Sequence, residues 1–339
     1  MQLLILGGGV FLGAAALDAA RARGHRVTVF NRGRARSAWP EGVEALSGDR
    51  VADLGVLAGR RWDAVIDACG YVPADVQRSA EALRDACGAC LFVSSVSAYA
   101  DTTEPMTAED HPLARFDGIA RDDRDLRHYG AQKAACEAEV MRVFGARALI
   151  VRPGLIVGPG DRSGRFSYWV WRAAAGGAML VPDVPDVCAL QFIDVRDLAA
   201  WMIGLLEAGT RGALNGSGPV GGETIGWHTL IAMCRADAAA HGLAPAQPVR
   251  VDEAFLLQHG VRPWSELPLW LPSIDPEYAG FNRDLTRAAA AGLRTRPLHE
   301  TIAAVLAEGR PAPDDKRRAG KLTPQREAEL MAAWAATHS

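Results

Sequence analysis

The amino-acid sequence predicts an α/β chain: a doubly wound parallel sheet with helices on both faces, followed by a smaller C-terminal region. Three observations carry this. Short continuous apolar runs alternate with amphipathic helical patterns through the first half, which is how strands buried on both faces read. A glycine-rich turn joins the first such run to the first helix. Beyond Pro153 the alternation gives way to Gly/Pro clusters and Trp/Pro-rich stretches, the marks of a differently built region.

Taken in order, the expected strands are residues 3–6, 27–30, 64–67, 91–94 and 148–152. The expected helices are residues 12–23, residues 74–86 and one around Tyr129. In the second half, loops at Gly158-Pro159-Gly160, Val181-Pro182-Asp183 and residues 264–272 are of the kind that carries ligand contacts. The sequence therefore divides into residues 1–160, with 188–215 returning to that unit, then 161–187 with 216–325, and a C-terminal helix over 326–339. No repeat of fixed period is visible.

A chain of 339 residues, 49% hydrophobic and 23% charged, can bury a large core. A net charge of -3 does not suit a sequence-independent grip on nucleic acid. The opening Met-Gln-Leu-Leu-Ile-Leu has no basic region before it, unlike a signal peptide, and no stretch reads as a membrane span. Six scattered cysteines fit reduced thiols, so a cytoplasmic setting is expected. Cys87 and Cys90 have the spacing of a redox or half-zinc motif, but no second pair or His cluster completes it, and no metal is expected. Abundant Ala, and Arg in place of Lys, suggest a GC-rich bacterial genome.

The run Gly7-Gly8-Gly9-Val10-Phe11-Leu12-Gly13 lies between a strand and an Ala-rich helix. In that position exposed backbone N–H groups and the helix dipole favour a pyrophosphate. The order strand, turn, helix, strand is that of a dinucleotide-binding Rossmann unit. A preference for NAD normally places Asp or Glu at the end of the second strand. Here Asn31-Arg32-Gly33-Arg34 stands there, and two guanidinium groups suit a 2′-phosphate. NADP(H) is the favoured cofactor, with NAD(H) left open.

Tyr129-Gly-Ala-Gln-Lys133 places a phenol and an ammonium four residues apart, on one face of a helix. A neighbouring cation lowers the pKa of a phenol toward the range where it can exchange protons. With 5 Tyr and three Lys in the chain, roughly 0.04 such pairs would arise by chance.

These motifs resemble the extended short-chain dehydrogenase/reductases, the epimerase/dehydratase superfamily, over about residues 1 to 300. The glycine run is similar to that family's Gly-Gly-x-Gly-Phe-Leu-Gly opening, with Val10 in place of the middle glycine. The resemblance implies a catalytic set of Ser95, Tyr129 and Lys133, with Ser95 four residues before Tyr99 in Val93-Ser-Ser-Val-Ser-Ala-Tyr99. It makes Tyr99 a shelf residue, not the acid. It implies cofactor contacts from Asp49, Cys69, Gly70, Ser94, Pro153 and Gly154, besides Gly7, Gly9, Val10, Phe11, Leu12, Gly13, Asn31, Arg32, Arg34 and Lys133. Asp197, in Phe192-Ile-Asp-Val-Arg-Asp197-Leu-Ala, is expected to fix a turn or helix cap. The asparagine often found before the Ser strand is missing from residues 81–90, so any proton relay must use other groups.

Dehydratases of the superfamily carry an Asp–Glu pair where this chain has Val96 and Ser97, so dehydration is not expected. Epimerases commonly place an Arg where Leu190 stands, so a diphosphate would need Arg162 or Arg165. The expectation is an NADP(H)-dependent oxidoreductase that interconverts a carbonyl and an alcohol on a small, moderately apolar substrate. Tyr71, Ser97, Arg162, Tyr168, Gln191 and Trp264 are its candidate contacts, the loop-rich residues 161–187 and 216–325 forming the substrate-binding region. Trp169, Trp171, Phe192 and Trp270 offer further aromatic surface, or core. Two other readings stay open: an epimerase that retains its cofactor, and a non-catalytic binding protein on the same fold. The expected partner is a small molecule, with neither nucleic acid nor membrane, and a homodimer is compatible with the sequence.

Overall fold

The computed structural model describes residues 1–34, 38–185, 189–221, 225–275, 282–312 and 314–337. The chain opens with β1 (Gln2–Leu6), α1 (Phe11–Ala22), β2 (Arg26–Asn31), β3 (Glu44–Ser47), β4 (Trp62–Asp67), α2 (Pro73–Leu83) and β5 (Cys87–Val93). There follow α3 (Tyr129–Phe144), β6 (Ala148–Pro153), β7 (Leu155–Val157), α4 (Arg165–Ala173), β8 (Ala178–Pro182), β9 (Ala189–Leu190) and β10 (Phe192–Asp194). The remainder is α5 (Val195–Glu207), β11 (Gly212–Gly216), β12 (Ile225–Gly226), α6 (Trp227–Ala240), β13 (Gln247–Val251), α7 (Glu253–Gln258), α8 (Thr286–Ala290), α9 (Leu298–Ala307) and α10 (Pro324–Ala336).

Seven strands make one parallel sheet in the order β11-β6-β5-β4-β1-β2-β3. The doubly wound fold expected from the sequence is therefore present. Its order reverses beside β1, so the chain leaves β1 and β4 in opposite directions and opens a crevice at their carboxyl ends. The local reasons are visible in the residues. Leu3, Leu4 and Ile5 of β1 are completely buried, as a central strand covered on both faces requires. In α1, Ala16, Leu17 and Ala20 turn one face to the sheet. α2 starts at Pro73, where a missing N–H costs nothing.

One sheet face packs on α1 and α5, the other on α2 and α3. A third core, built from α4, α6, β8, β13, α9 and α10, holds Trp169, Trp227 and Trp270 with no exposed surface. Trp169 packs edge-on to Trp227 at 5.0 Å. Its indole N–H donates to Pro268 O at 2.7 Å, as a buried tryptophan needs. Trp169, Trp171, Phe192 and Trp270 thus belong to this core.

Asp194 caps α5 by accepting from Arg196 N at 2.8 Å. Asp197, expected as the cap, instead accepts from Arg296 N and Nε at 2.8 and 2.9 Å and ties in a segment 99 residues away. Cys87 and Cys90 are free, buried thiols, and burial raises both above their ordinary value, Cys87 to about 12. That disfavours the thiolate that redox or zinc chemistry would need. Among the described residues no helix is long and apolar enough to cross a membrane, and no cluster of His, Cys, Asp or Glu is grouped to hold a metal ion.

Candidate active site

The glycine turn is as tight as its sequence suggests. Gly7 donates its N–H to Phe30 O at 2.9 Å, and Gly7 and Gly8 have φ of +111° and +71°, a region that L side chains rarely adopt. A Cβ on Gly13 would come within 2.6 Å of Gly8 N, so α1 approaches the turn this closely only with glycine there. Val10 is the residue that caps α1, in extended backbone at φ -146° and ψ 151°. Any residue adopts that conformation, so valine in place of the usual glycine causes no backbone strain.

Two clefts open at the turn. One, of about 410 Å³, runs from Gly7 and Gly9 along Asn31, Arg32, Arg34, Asp49 and Cys69. The other, of about 620 Å³, runs from Phe11 and Leu12 past Ser94, Ser95, Tyr129 and Lys133 to Pro153 and Gly154. Val10, Gly13, Ala68 and Tyr71 line both, which makes them one continuous groove. The groove fits a dinucleotide. Its volume suits a cofactor, and the first N–H groups of α1, which lack intrahelical partners, lie at its middle with the positive end of the helix.

At the outer end, Asn31 Oδ1 accepts from Gly33 N at 2.7 Å and Asp49 accepts from Val51 N at 3.0 Å. Arg32 and Arg34 are exposed and form no ion pair among the described residues. Sequence reasoning passed over Arg50, whose guanidinium grips Asp67 at 2.9 and 2.7 Å and reaches Cys69 Sγ at 3.5 Å. Burial alone would raise the Asp67 carboxyl, but Arg50 holds it below its ordinary value. The pair props the floor of the groove. Gly70 lies off the groove wall, and what it contributes is a carbonyl.

That carbonyl accepts from Lys133 Nζ at 2.7 Å, as does Val93 O at 2.7 Å. The ammonium also sits 4.8 Å from the ring centroids of Tyr71 and Phe92. Burial lowers its pKa from 10.5 to about 8. Tyr129 is the first residue of α3, and it lines the same cleft as Ser95. Ser95 caps the short turn after β5, its Oγ accepting from Ser97 N at 3.1 Å. Burial raises the Tyr129 phenol above its ordinary value, while Ser95 and the charge of Arg165 pull it down. The sequence expected Lys133 to do this. In the structure the ammonium is engaged by two carbonyls, and the charge acting on the phenol is that of Arg165.

The depressed Lys133 value gives a test with a definite sign. The unfolded chain holds this proton up to about pH 10.5 and the native one only to about 8. Between those values the unfolded state binds more protons, so native stability rises with pH. Relative to Lys133→Met, the cofactor-free wild type should gain up to about 3 kcal/mol across that window. Urea unfolding of both proteins at its two ends measures this, and parallel pH curves would contradict it.

Behind the reacting face lies a buried network. Ser94 Oγ donates to Glu137, and Arg152 grips Glu137 at 2.7 and 3.0 Å. Arg152 also donates to Tyr99 Oη at 3.2 Å, and Tyr99 donates to Asn215 Oδ1 at 2.7 Å. Tyr99 is 2% exposed and does not line the cleft. The network joins β5, α3, β6 and β11, fixing α3 against the Ser95 segment. A Cβ at Gly130 would strike Ser97 O. Gly130→Ala is therefore expected to destabilise the fold by about 1–3 kcal/mol through overpacking, read as a lower urea midpoint. An unchanged midpoint would mean that α3 has room to shift.

At the inner end the cleft is walled by Tyr71, Ser97, Gln191 and Trp264, as the sequence suggested, together with Thr102, Leu271, Arg165 and Arg283. Arg162 and Tyr168 do not line it. Arg162 points to solvent, and Tyr168 turns along α4 to another cavity. Arg165 takes the inward position instead, its Nε donating to Ser163 Oγ at 3.1 Å and its guanidinium 5.6 Å from the Trp264 ring centroid. Arg283 is 4% exposed and tied to Gln191 through its backbone, at 3.0 and 3.1 Å. Three cations and no carboxylate line this cleft. The rest of its lining is mostly apolar, with Phe11, Leu155, Ile156, Trp264 and Leu271 among it.

The sequence profile of the NAD dependent epimerase/dehydratase family matches residues 3–217. Among solved structures, the chain is similar to the Bordetella bronchiseptica enzyme WbmH in complex with NAD+, at 18% identity and TM-score 0.64, over 90% of this chain and 97% of that one. It is also similar to UDP-N-acetylglucosamine 4-epimerase from Bacillus cereus, at 15% identity and TM-score 0.62, over 92% and 100% of the two chains. For WbmG of Bordetella bronchiseptica, in complex with NAD and UDP, the values are 19%, 0.62, 90% and 93%. At such identities the likeness is one of fold. A search among curated proteins finds no match. The chain belongs to the NAD dependent epimerase/dehydratase family.

Proposed function

We propose that this chain is an NADP(H)-dependent oxidoreductase of the cytoplasm that interconverts a carbonyl and an alcohol on a small substrate bearing an anionic group. The observation that carries the reading is that Ser95, Tyr129 and Lys133 line one cleft where it meets the groove. When bound, the nicotinamide cofactor supplies or accepts the hydride. Ser95 offers a hydroxyl to the reacting oxygen and holds it at the Tyr129 phenol. In reduction Tyr129 gives that oxygen its proton, and a phenol kept protonated by burial is in the right state to do so. Lys133 spends two of its three N–H donors on Gly70 O and Val93 O, leaving one for the cofactor ribose. Arg165 and Arg283 suit an anionic substituent, with Trp264 and Leu271 against its apolar part.

The same two arginines favour a second reading, an epimerase of a phosphorylated substrate that retains its cofactor. Incubation of a panel of aldehydes and ketones with NADPH, and in parallel of the matching chiral alcohols with NADP+, including phosphorylated and carboxylated ones, separates the two. Net loss of NADPH absorbance is expected. A change of substrate stereochemistry without net NADPH loss selects the epimerase, and neither outcome on any compound sinks both readings.

A further inference from the structure

We propose that the cavity between α4 and residues 310–311 and 317–327 is a second binding site, for a phosphate-sized oxyanion. Of about 140 Å³, it shares no wall residue with the cofactor groove or the catalytic cleft. Five cationic side chains and one carboxylate line it. Two of those charges are already matched: Arg172 by Glu327 at 2.8 Å and Arg317 by Asp315 at 2.7 Å. Arg310, Arg318 and Lys321 form no ion pair or side-chain hydrogen bond among the described residues. Three unmatched cations around one small cavity favour an anion there.

Further donors border the same space. Tyr168 lines the cavity, and its phenol is kept protonated by burial. The N-terminus of α10, capped by Thr323 Oγ1 at 3.2 Å from Arg326 N, adds the positive end of a thirteen-residue helix. The volume is well below the ~300 Å³ at which cofactor-sized sites begin. It suits inorganic phosphate or the terminal group of a phosphomonoester.

The site adjoins the element that aims Arg165. Gly164, at φ +64°, precedes α4 and packs so closely on Arg317 O that any Cβ would strike it. Burial and Arg165 disfavour the Lys321 cation while Asp161 favours it, and an oxyanion beside it would add to the effect of Asp161. The site stands whichever reaction the cleft performs.

Calorimetric titration of the full chain with inorganic phosphate, and separately with glycerol phosphate, tests this at ionic strength held constant with chloride. At least one probe should bind, and Arg318→Ala with Lys321→Ala should weaken it at least tenfold. Arg32→Ala with Arg34→Ala should leave it within about twofold. Lys321→Arg keeps the charge and should retain binding. Absence of binding by both probes, loss of it in the groove variant instead, or equal losses in all variants would overturn the proposal.

Discussion

Tyr129→Phe is expected to lower kcat about 1000-fold on the carbonyl compound that the wild type reduces fastest, within the range attributed to a positioned acid or base. The change removes one oxygen. Its aromatic ring stays where α3 begins, 6.4 Å from Tyr71, so the cleft keeps its shape. Ser95 keeps its turn through Ser97 N. Cofactor affinity should therefore stay within a few-fold, which makes the loss one of chemistry rather than of binding. Measuring kcat together with the NADPH dissociation constant separates the two. Retained turnover would remove Tyr129 from the acid/base role, and a large drop in NADPH affinity would give its hydroxyl a binding role instead.

The second large effect concerns cofactor choice. Arg32 and Arg34 lie at the outer end of the groove, exposed and without carboxylate partners among the described residues. A 2′-phosphate there would gain charge-assisted hydrogen bonds, about 1.5 to 3 kcal/mol or roughly 10- to 150-fold in favour of NADPH over NADH. The double change Arg32→Ala, Arg34→Ala should weaken NADPH by most of that factor. It should scarcely alter NADH, which presents only hydroxyls at that corner. Fluorescence titration of both cofactors into both proteins reads the result. Equal wild-type affinities, or equal losses for both cofactors, would mean that the two arginines are solvated surface.

What was legible in the sequence was whatever is set by near neighbours. The glycine turn, the four-residue spacing of Tyr129 and Lys133 and the apolar strands of the sheet are local patterns, and the structure realises them within single elements. The strands β3 and β11 were missed for a related reason. Glu44–Ser47 is a mostly exposed edge strand and Gly212–Gly216 is bounded by glycines, so neither reads as an apolar run. Contacts between distant residues were illegible. Arg283 reaches the cleft through Gln191, 92 residues away, and no spacing rule points to it. The choice of Arg165 over Arg162 depends on where Gly164 starts α4. Lys133 was placed correctly on the helix, yet its hold on Gly70 O and Val93 O comes from the packing of α3 on β4 and β5.

The central claim is that a nicotinamide dinucleotide lies along the groove with its reactive end at Ser95, Tyr129 and Lys133. A crystal structure of the chain grown with NADP+ tests it most directly. The account predicts the 2′-phosphate between Arg32 and Arg34, the pyrophosphate at the N-terminus of α1, and the nicotinamide beside Tyr129 and Lys133. An empty groove at saturating NADP+, or a cofactor lying with its nicotinamide away from Tyr129, would contradict it.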